Sequence, residues 1–477
     1  MLTQIVKHEW RNLRADRTLW AVAALLAVTI GFGIRNGSEW VRFQNDTLKA
    51  VAAEERERLA AVNSGIIDAQ AGRTKPTSFT DPRSPSVVGR TLGARYASMP
   101  PAPLAALAIG QSDLYPYYFK VSTSTRQTFL NNDEIEHPVH LMSGRFDLAF
   151  VILYLYPLII LALSYNLLSA EKEAGTLAMT LSQPVGLPKL VLGKIALRFV
   201  FILLPGGVLS LAGAIGGGTN IAADGGGSRL LLWFGVVALY GAFWYALAAA
   251  VNAFGRGSSS NAIALAAFWL AFVLVIPSLL NVGVKYVHPV PSRVELIQAM
   301  REASREAAAQ GSRLLASYYE DHPELAGDRT DAADFAALAL ANQEQVEKRI
   351  RPVLDRFDQQ LDLQQRLVDR YRFLSPAVVA QAALFDIAGT SEHRYKHFLG
   401  LADRFHRDWR AHFYRQIVRN ASLAPQDVDR FPEFHFEEEP WRAVAGRSEV
   451  GLVVLLFAVM VVGAVAAWLL RRYPVAA

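Results

Sequence analysis

No cysteine occurs among the 477 residues. Disulfides, thiolate metal sites, iron–sulfur clusters and cysteine nucleophiles are therefore excluded, and the redox compartment is left open. Charge is scarce too: Asp, Glu, Lys and Arg make up 19%, against about a quarter in soluble chains. The 48 basic and 43 acidic side chains leave a net charge of +5 without a basic tract. That balance gives no ground for a nucleic-acid partner. A nucleotide-phosphate loop would need Gly-x-x-x-x-Gly-Lys-Ser/Thr, so that backbone amides wrap the phosphates. The nearest approach, Gly186 to Gly193-Lys194-Ile195, has six intervening residues and no hydroxyl. The chain alone is not expected to hydrolyse ATP or to bind a cofactor. Neither His-Glu-x-x-His nor Gly-x-Ser-x-Gly occurs, and no repeat of about 20–50 residues is visible.

What the sequence does have is apolar length. Hydrophobic residues reach 52% and gather in six runs: 19–34, 146–168, 195–215, 230–254, 262–282 and 450–470. The last five each have about the 20 residues that a hydrocarbon core of about 30 Å demands. The first is shorter and follows Lys7, Arg11, Arg14 and Arg17, which also suits a signal peptide. No small-residue cleavage site follows, so an uncleaved anchor is the reading. Lys172, Lys189, Lys194, Arg256, Arg471 and Arg472 fall on the same side as the N-terminal basic residues if there are six spans. The expected fold is an all-α polytopic membrane protein with six transmembrane helices and both termini in the cytoplasm. Two large extracytoplasmic insertions, 35–145 and 283–448, hold more than half of the chain, the second mainly helical. The spans hold almost no ionisable groups. Asp147 and Arg198 sit near ends and can reach the interface. An ion-coupled carrier is disfavoured, because nothing at mid-membrane takes the coupling charge.

In the first insertion, 39–67 reads as helix and 74–103 as loop. The aromatic cluster Tyr115-Pro116-Tyr117-Tyr118-Phe119 fits packing, at the interface or in a core, better than a substrate-stacking surface. In the second, apolar residues from Val346 to Val368 step by threes and fours, predicting a long amphipathic helix over 334–374, kinked at Pro352. Ser375-Pro376 then caps a short apolar helix, 377–388, ending at Gly389. It is too short to span and belongs in a core or on the membrane surface. His393 and His397, four apart, are weak candidates for a metal pair. In so charged a stretch a solvated face fits better, and no metal is assigned. The run Glu437-Glu438-Glu439 reads as a charged surface turn.

The segment 169–194 lies between the second and third spans. Its residues Glu171-Lys172-Glu173-Ala174-Gly175-Thr176-Leu177 lead to Leu181-Ser182-Gln183-Pro184-Val185 and then Gly193-Lys194. This reads as a short amphipathic helix with acids in its first turn, as the dipole prefers, and with Leu177 and Leu181 on one face. Pro184 ends it, and Lys189 and Lys194 are placed at the lipid headgroups. Joined directly to two spans, such a helix transmits force from a docked partner; an ordinary connecting loop is the plainer alternative.

In these residues the chain resembles the ABC-2 class of ABC-transporter permeases. The pattern Glu-x-Glu-x-Gly-Thr-Leu, then Leu-Ser-x-Pro-Val, then Gly-Lys is met by Glu171, Glu173, Gly175, Thr176, Leu177, Leu181, Ser182, Pro184, Val185, Gly193 and Lys194. The N-terminal 1–18, with His8, Glu9, Trp10 and Arg11, is similar to the interfacial elbow helix of that class. Leu374-Ser375-Pro376, Ala383-Leu384, Ala388-Gly389-Thr390, Arg394 and Phe398 are similar to a narrower subgroup. That subgroup carries large periplasmic insertions after helices one and five, as in permeases of gliding motility and nitrous-oxide-reductase maturation. The resemblance is weakest at 35–145. It implies that 171–181 docks on a separate ABC ATP-binding subunit, which holds ATP and Mg. It also implies a second permease copy or paralogue, and residence in the inner membrane.

Two functions follow from different classes. One is a permease subunit of an ATP-driven exporter, with Tyr154, Tyr156, Trp233, Trp244, Tyr245 and Trp269 either facing amphiphilic cargo or packing the bundle. The other is an ATPase-driven mechanotransmitter or scaffold acting on a periplasmic partner without moving cargo. An ATPase-independent receptor would leave the 171–185 pattern unexplained.

Overall fold

The computed structural model describes residues 9–11, 14–15, 17–124, 145–182, 186–216, 225–290, 292–321, 331–419 and 421–473. Eleven helices carry the architecture: α1 (Arg17–Gln70), α2 (Leu148–Glu173), α3 (Leu177–Leu181), α4 (Leu187–Gly216), α5 (Gly226–Asn252), α6 (Ser258–Val287), α7 (Arg293–Asp321), α8 (Asp331–Tyr371), α9 (Pro376–Ala388), α10 (Glu392–Val418) and α11 (Trp441–Arg471). Helices α1, α2, α4, α5, α6 and α11 are long and apolar enough to cross a membrane. Each of the last four runs past its apolar stretch.

Helix α1 has 54 residues, about 81 Å at 1.5 Å per residue. Its apolar N-terminal part continues without a break into a polar C-terminal stretch. Two glycines let other backbone press against it. A Cβ at Gly33 would lie 2.8 Å from the carbonyl carbon of Asp147, and one at Gly37 would lie 2.1 Å from the oxygen of Ala106. Asn36 donates to the carbonyl of Phe146 at 2.9 Å. Asp147 is buried rather than at an interface. Its carboxylate caps α2 by accepting from Phe150 N at 2.7 Å, and also accepts from Ile109 N at 2.8 Å.

The spanning helices share one core in which Trp233, Tyr240, Trp244 and Tyr245 are fully buried, with Tyr156 beside them. Trp269 donates to the carbonyl of Tyr154 at 3.2 Å. Helix α9 lies within this core, against α5 and α11. Small residues permit the approach: a Cβ at Gly451 would meet that of Ala383 at 3.2 Å. Ser375 caps α9 by accepting from Val378 N, and Gly389 closes it at φ +79°, a left-handed value open to glycine.

A second core joins the C-terminal part of α1 to α10. It includes the only strands among the described residues, β1 (Arg95–Ser98) and β2 (Tyr118–Val121), paired antiparallel with Arg95 opposite Val121. This pair is the exception to the all-helical expectation. Tyr115 stacks on Tyr395 at 4.2 Å and Phe119 on Phe398 at 5.5 Å, so the aromatic cluster packs against α10 instead of lining a surface. Helices α7 and α8 form a hairpin, tied by Arg349 to Glu306 at 3.1 Å. Pro352 lies inside α8 without ending it.

Candidate functional site

Residues 171–181 do not form one helix: α2 ends at Glu173 and the short α3 follows it. The last turn of α2 closes with Gly175 N donating to Lys172 O at 3.0 Å and Thr176 N to Glu171 O at 2.9 Å. Gly175 stands at φ +70°. This 5→2 and 6→1 pairing is the Schellman closure, which needs a left-handed residue at its centre. Helix α3 starts afresh at Leu177. The two acids therefore stand at the C-terminal end of a helix, where the dipole disfavours them. Both carboxylates find partners elsewhere.

Glu171 Oε1 accepts from Lys194 Nζ at 2.7 Å, and the same ammonium donates to Leu167 O at 3.0 Å. Lys194 is 6% exposed; it is not at the headgroups as the sequence suggested. Glu173 reaches α6. Its Oε1 accepts from Ser258 N at 2.7 Å and its Oε2 from Ser258 Oγ at 3.0 Å. A carboxylate there faces the positive end of a helix, the favourable side of the dipole. Lys172 donates to Gly255 O at 3.2 Å, at the end of α5. Beneath this, the amide oxygen of Asn252 accepts from Leu168 N at 3.3 Å and from Asn261 Nδ2 at 3.3 Å. Asn252 Nδ2 donates to Ser164 O at 3.0 Å.

Leu177 is 4% exposed and packs with Leu168, Leu187, Leu190 and Leu470. Leu181, half-buried, covers the same cluster. The outward surface is formed by Glu173, Ala174, Gly175, Thr176, Ala178, Met179 and Ser182, with Met179 72% exposed. Pro184 and His8 lie outside the described residues. Glu9 is buried and accepts from Arg198 Nη2 at 2.7 Å and Nε at 3.1 Å. Arg198 also donates to Leu163 O. Trp10 and Arg11 are exposed. Lys194 and Arg198, one turn apart on α4, thus tie the N-terminal segment and the end of α2 to one helix.

His393 and His397 do not converge. His393 Nδ1 lies 3.3 Å from Asp386 Oδ1, and His397 Nε2 pairs with Glu437 O at 2.9 Å. Among the described residues, no three His, Asp or Glu side chains come together to hold a metal. The bond to Asp386 holds the His393 imidazole above its ordinary pKa. Burial opposes ionisation of Asp386, but His393, Ser391 and Arg447 together keep its carboxyl below the usual value. The acidic run keeps Glu437 and Glu438 exposed, as a surface turn does, and is ion-paired: Glu438 with Arg394 at 2.5 Å and the half-buried Glu439 with Arg447 at 2.5 Å.

Residues 293–437 match the family model of a domain of unknown function, DUF3526. The match runs from the start of α7 through α10 to the acidic run. No curated protein matches the chain. The sequence reasoning passed over Met179, Ser258, Gly255 and Asn252. Met179 was open to it, since two residues beyond Leu177 on a helix is another face. The partners of Lys172 and Glu173 are more than eighty residues away and carry no local signal.

Proposed function

We propose that this chain is the membrane permease subunit of an ATP-driven ABC transporter. In this reading residues 169–182 form the docking element for a separate ATP-binding subunit that carries ATP and Mg. One observation carries it. A compact element between two apolar helices is fixed on its inner side by Leu177 and Glu171 and at its exposed edge by Glu173, and presents small residues and Met179 outward. Exposed methionine suits an adaptable apolar socket on a partner. The lack of a phosphate-binding loop in the chain agrees with ATP being handled by that partner.

Both termini would lie in the cytoplasm, with 35–145 and 283–448 outside the inner membrane. Two permease chains, identical or paralogous, would meet two ATPases. The burial of Trp233, Trp244 and Tyr245 in the bundle favours packing over cargo contact for these rings. The second reading, mechanotransmission to a periplasmic partner, draws on the hydrogen bonds that link α6 to the outer helices.

The test is purification of the tagged full chain in gentle detergent, with mass spectrometry of what accompanies it. Wild type is expected to bring an ABC ATPase, and Met179→Asp to lose it while inserting equally. An ATPase that is absent from wild type, or kept in full by Met179→Asp, overturns the docking assignment.

A further inference from the structure

Hydrogen bonds hold helix α6 along its length; besides those of Asn261 to Asn252 and Trp269 to Tyr154, three join it to Glu173, to α9 and to α8. At its first residue Glu173 binds both the amide and the hydroxyl of Ser258. About 21 Å further along, the carbonyl of Phe272 accepts from Ser375 Oγ at 2.5 Å. Phe272 lies in a π-helical stretch, Leu270–Val275, where the wider turn takes carbonyls out of the regular ladder. Just past its last turn, about 45 Å from Ser258, the carbonyl of His288 accepts from Gln364 Nε2 at 2.5 Å. The first contact belongs to the segment after α2, the second to the cap of α9, the third to α8. Lys172, beside Glu173, holds Gly255 at the end of α5, so the pair clamps both sides of the α5–α6 turn.

We infer that Glu173 is a positioning residue that couples the docking segment to α6, and that α6 carries its displacement to the α7–α8 hairpin outside. This deepens the reading of residues 169–182 as the ATPase-facing element and rests on it for the source of the movement. Glu173 is exposed at the edge of this element, and both of its carboxylate oxygens are engaged by Ser258. A continuous helix transmits an axial or tilting shift along its length because its own hydrogen bonds resist compression. The carbonyls of Phe272 and His288 are where that shift leaves it. Ligand-driven shifts need an element that both sites bias, and these attachments make α6 the helix that touches the docking segment at one end and α8 at the other.

The absence of cysteine makes the test direct, since two introduced cysteines are the only labels. Spin labels at E57C, on the C-terminal part of α1, and S304C, on α7, are both on exposed positions. Their distance distribution is measured in the full chain in lipid nanodiscs, without nucleotide. Glu173→Ala is expected to shift or broaden it beyond the wild-type width. Glu173→Gln, which keeps an acceptor for Ser258, is expected to restore the wild-type distribution, separating loss of the clamp from misfolding. Met179→Asp is expected to leave the distribution unchanged while losing the ATPase. An unaltered distribution in Glu173→Ala, or equal disturbance by Glu173→Gln, overturns the inference. Loss of the docking reading alone would show in Met179→Asp and in co-purification, not in these distances.

Discussion

Glu171 and Lys194 meet at 2.7 Å across the junction of α2 and α4, and the lysine is almost wholly enclosed. The ammonium also satisfies the carbonyl of Leu167. Removing one partner therefore leaves the other desolvated without compensation, the expensive case for a buried polar group. Lys194→Met is expected to cost about 2 kcal/mol, read as a lowered unfolding midpoint in detergent. Glu171→Gln combined with Lys194→Met is expected to cost clearly less than the sum of the two singles. Simple additivity would mean that the contact is not an energetic pair.

Leu177 and Met179, two residues apart, separate stability from recognition. Leu177→Ala empties a site in a packed cluster and is expected to cost roughly 2–5 kcal/mol. Met179→Ala removes an exposed side chain and is expected to change stability by about 0.5 kcal/mol or less. Thermal unfolding of the two variants side by side checks this, and equal losses would contradict it.

The close approaches on α1 predict opposite responses at two glycines. Gly37→Ala drives a methyl into the oxygen of Ala106 and is expected to destabilise by about 1–3 kcal/mol or to prevent folding. Gly31→Ala meets nothing within 4 Å and is expected to be tolerated. Comparing yield and unfolding midpoint of the two decides it.

His393 and Asp386 make stability depend on pH in two directions. Hydrogen bonding to Asp386 raises the imidazole, so its contribution is complete below the unfolded value of about 6.5 and fades as pH rises through the folded one. The carboxyl is lowered, so its contribution is present above about 3.9 and fades as pH falls through the folded value. Arg447 and Asp369 face the same imidazole with opposing signs. The unfolding midpoint is expected to be highest near pH 5–6 and to decline above neutrality. His393→Gln is expected to flatten the alkaline side of that profile; an unchanged slope would remove His393 as its source.

The sequence made the long apolar helices legible because run length is a local property. Ser375 and Gly389 likewise marked the ends of α9 within a residue, since capping chemistry is local too. The break at Gly175 was harder. A glycine inside an amphipathic stretch is compatible with helix, and only the closure bonds show that it turns. Lys194 looked like a headgroup lysine, and its burial depends on Glu171, a partner from across a turn of chain. The strands β1 and β2 are four residues each, too short for alternation to stand out. The sequence put α9 either in a core or on the surface. Its small residues facing Gly451 choose the core.

That choice has a consequence for how the chain is made. Helix α9 packs on α11, which is synthesised more than fifty residues later. Until α11 has left the ribosome and inserted, the face of α9 that carries Val379 and Ala383 lacks the surface that buries it. The 293–437 region is thus not a module that matures by itself. It must wait, partly open, for α11. A truncated chain that stops before α11 would leave α9 as an exposed, sticky segment, a natural handle for quality-control proteases.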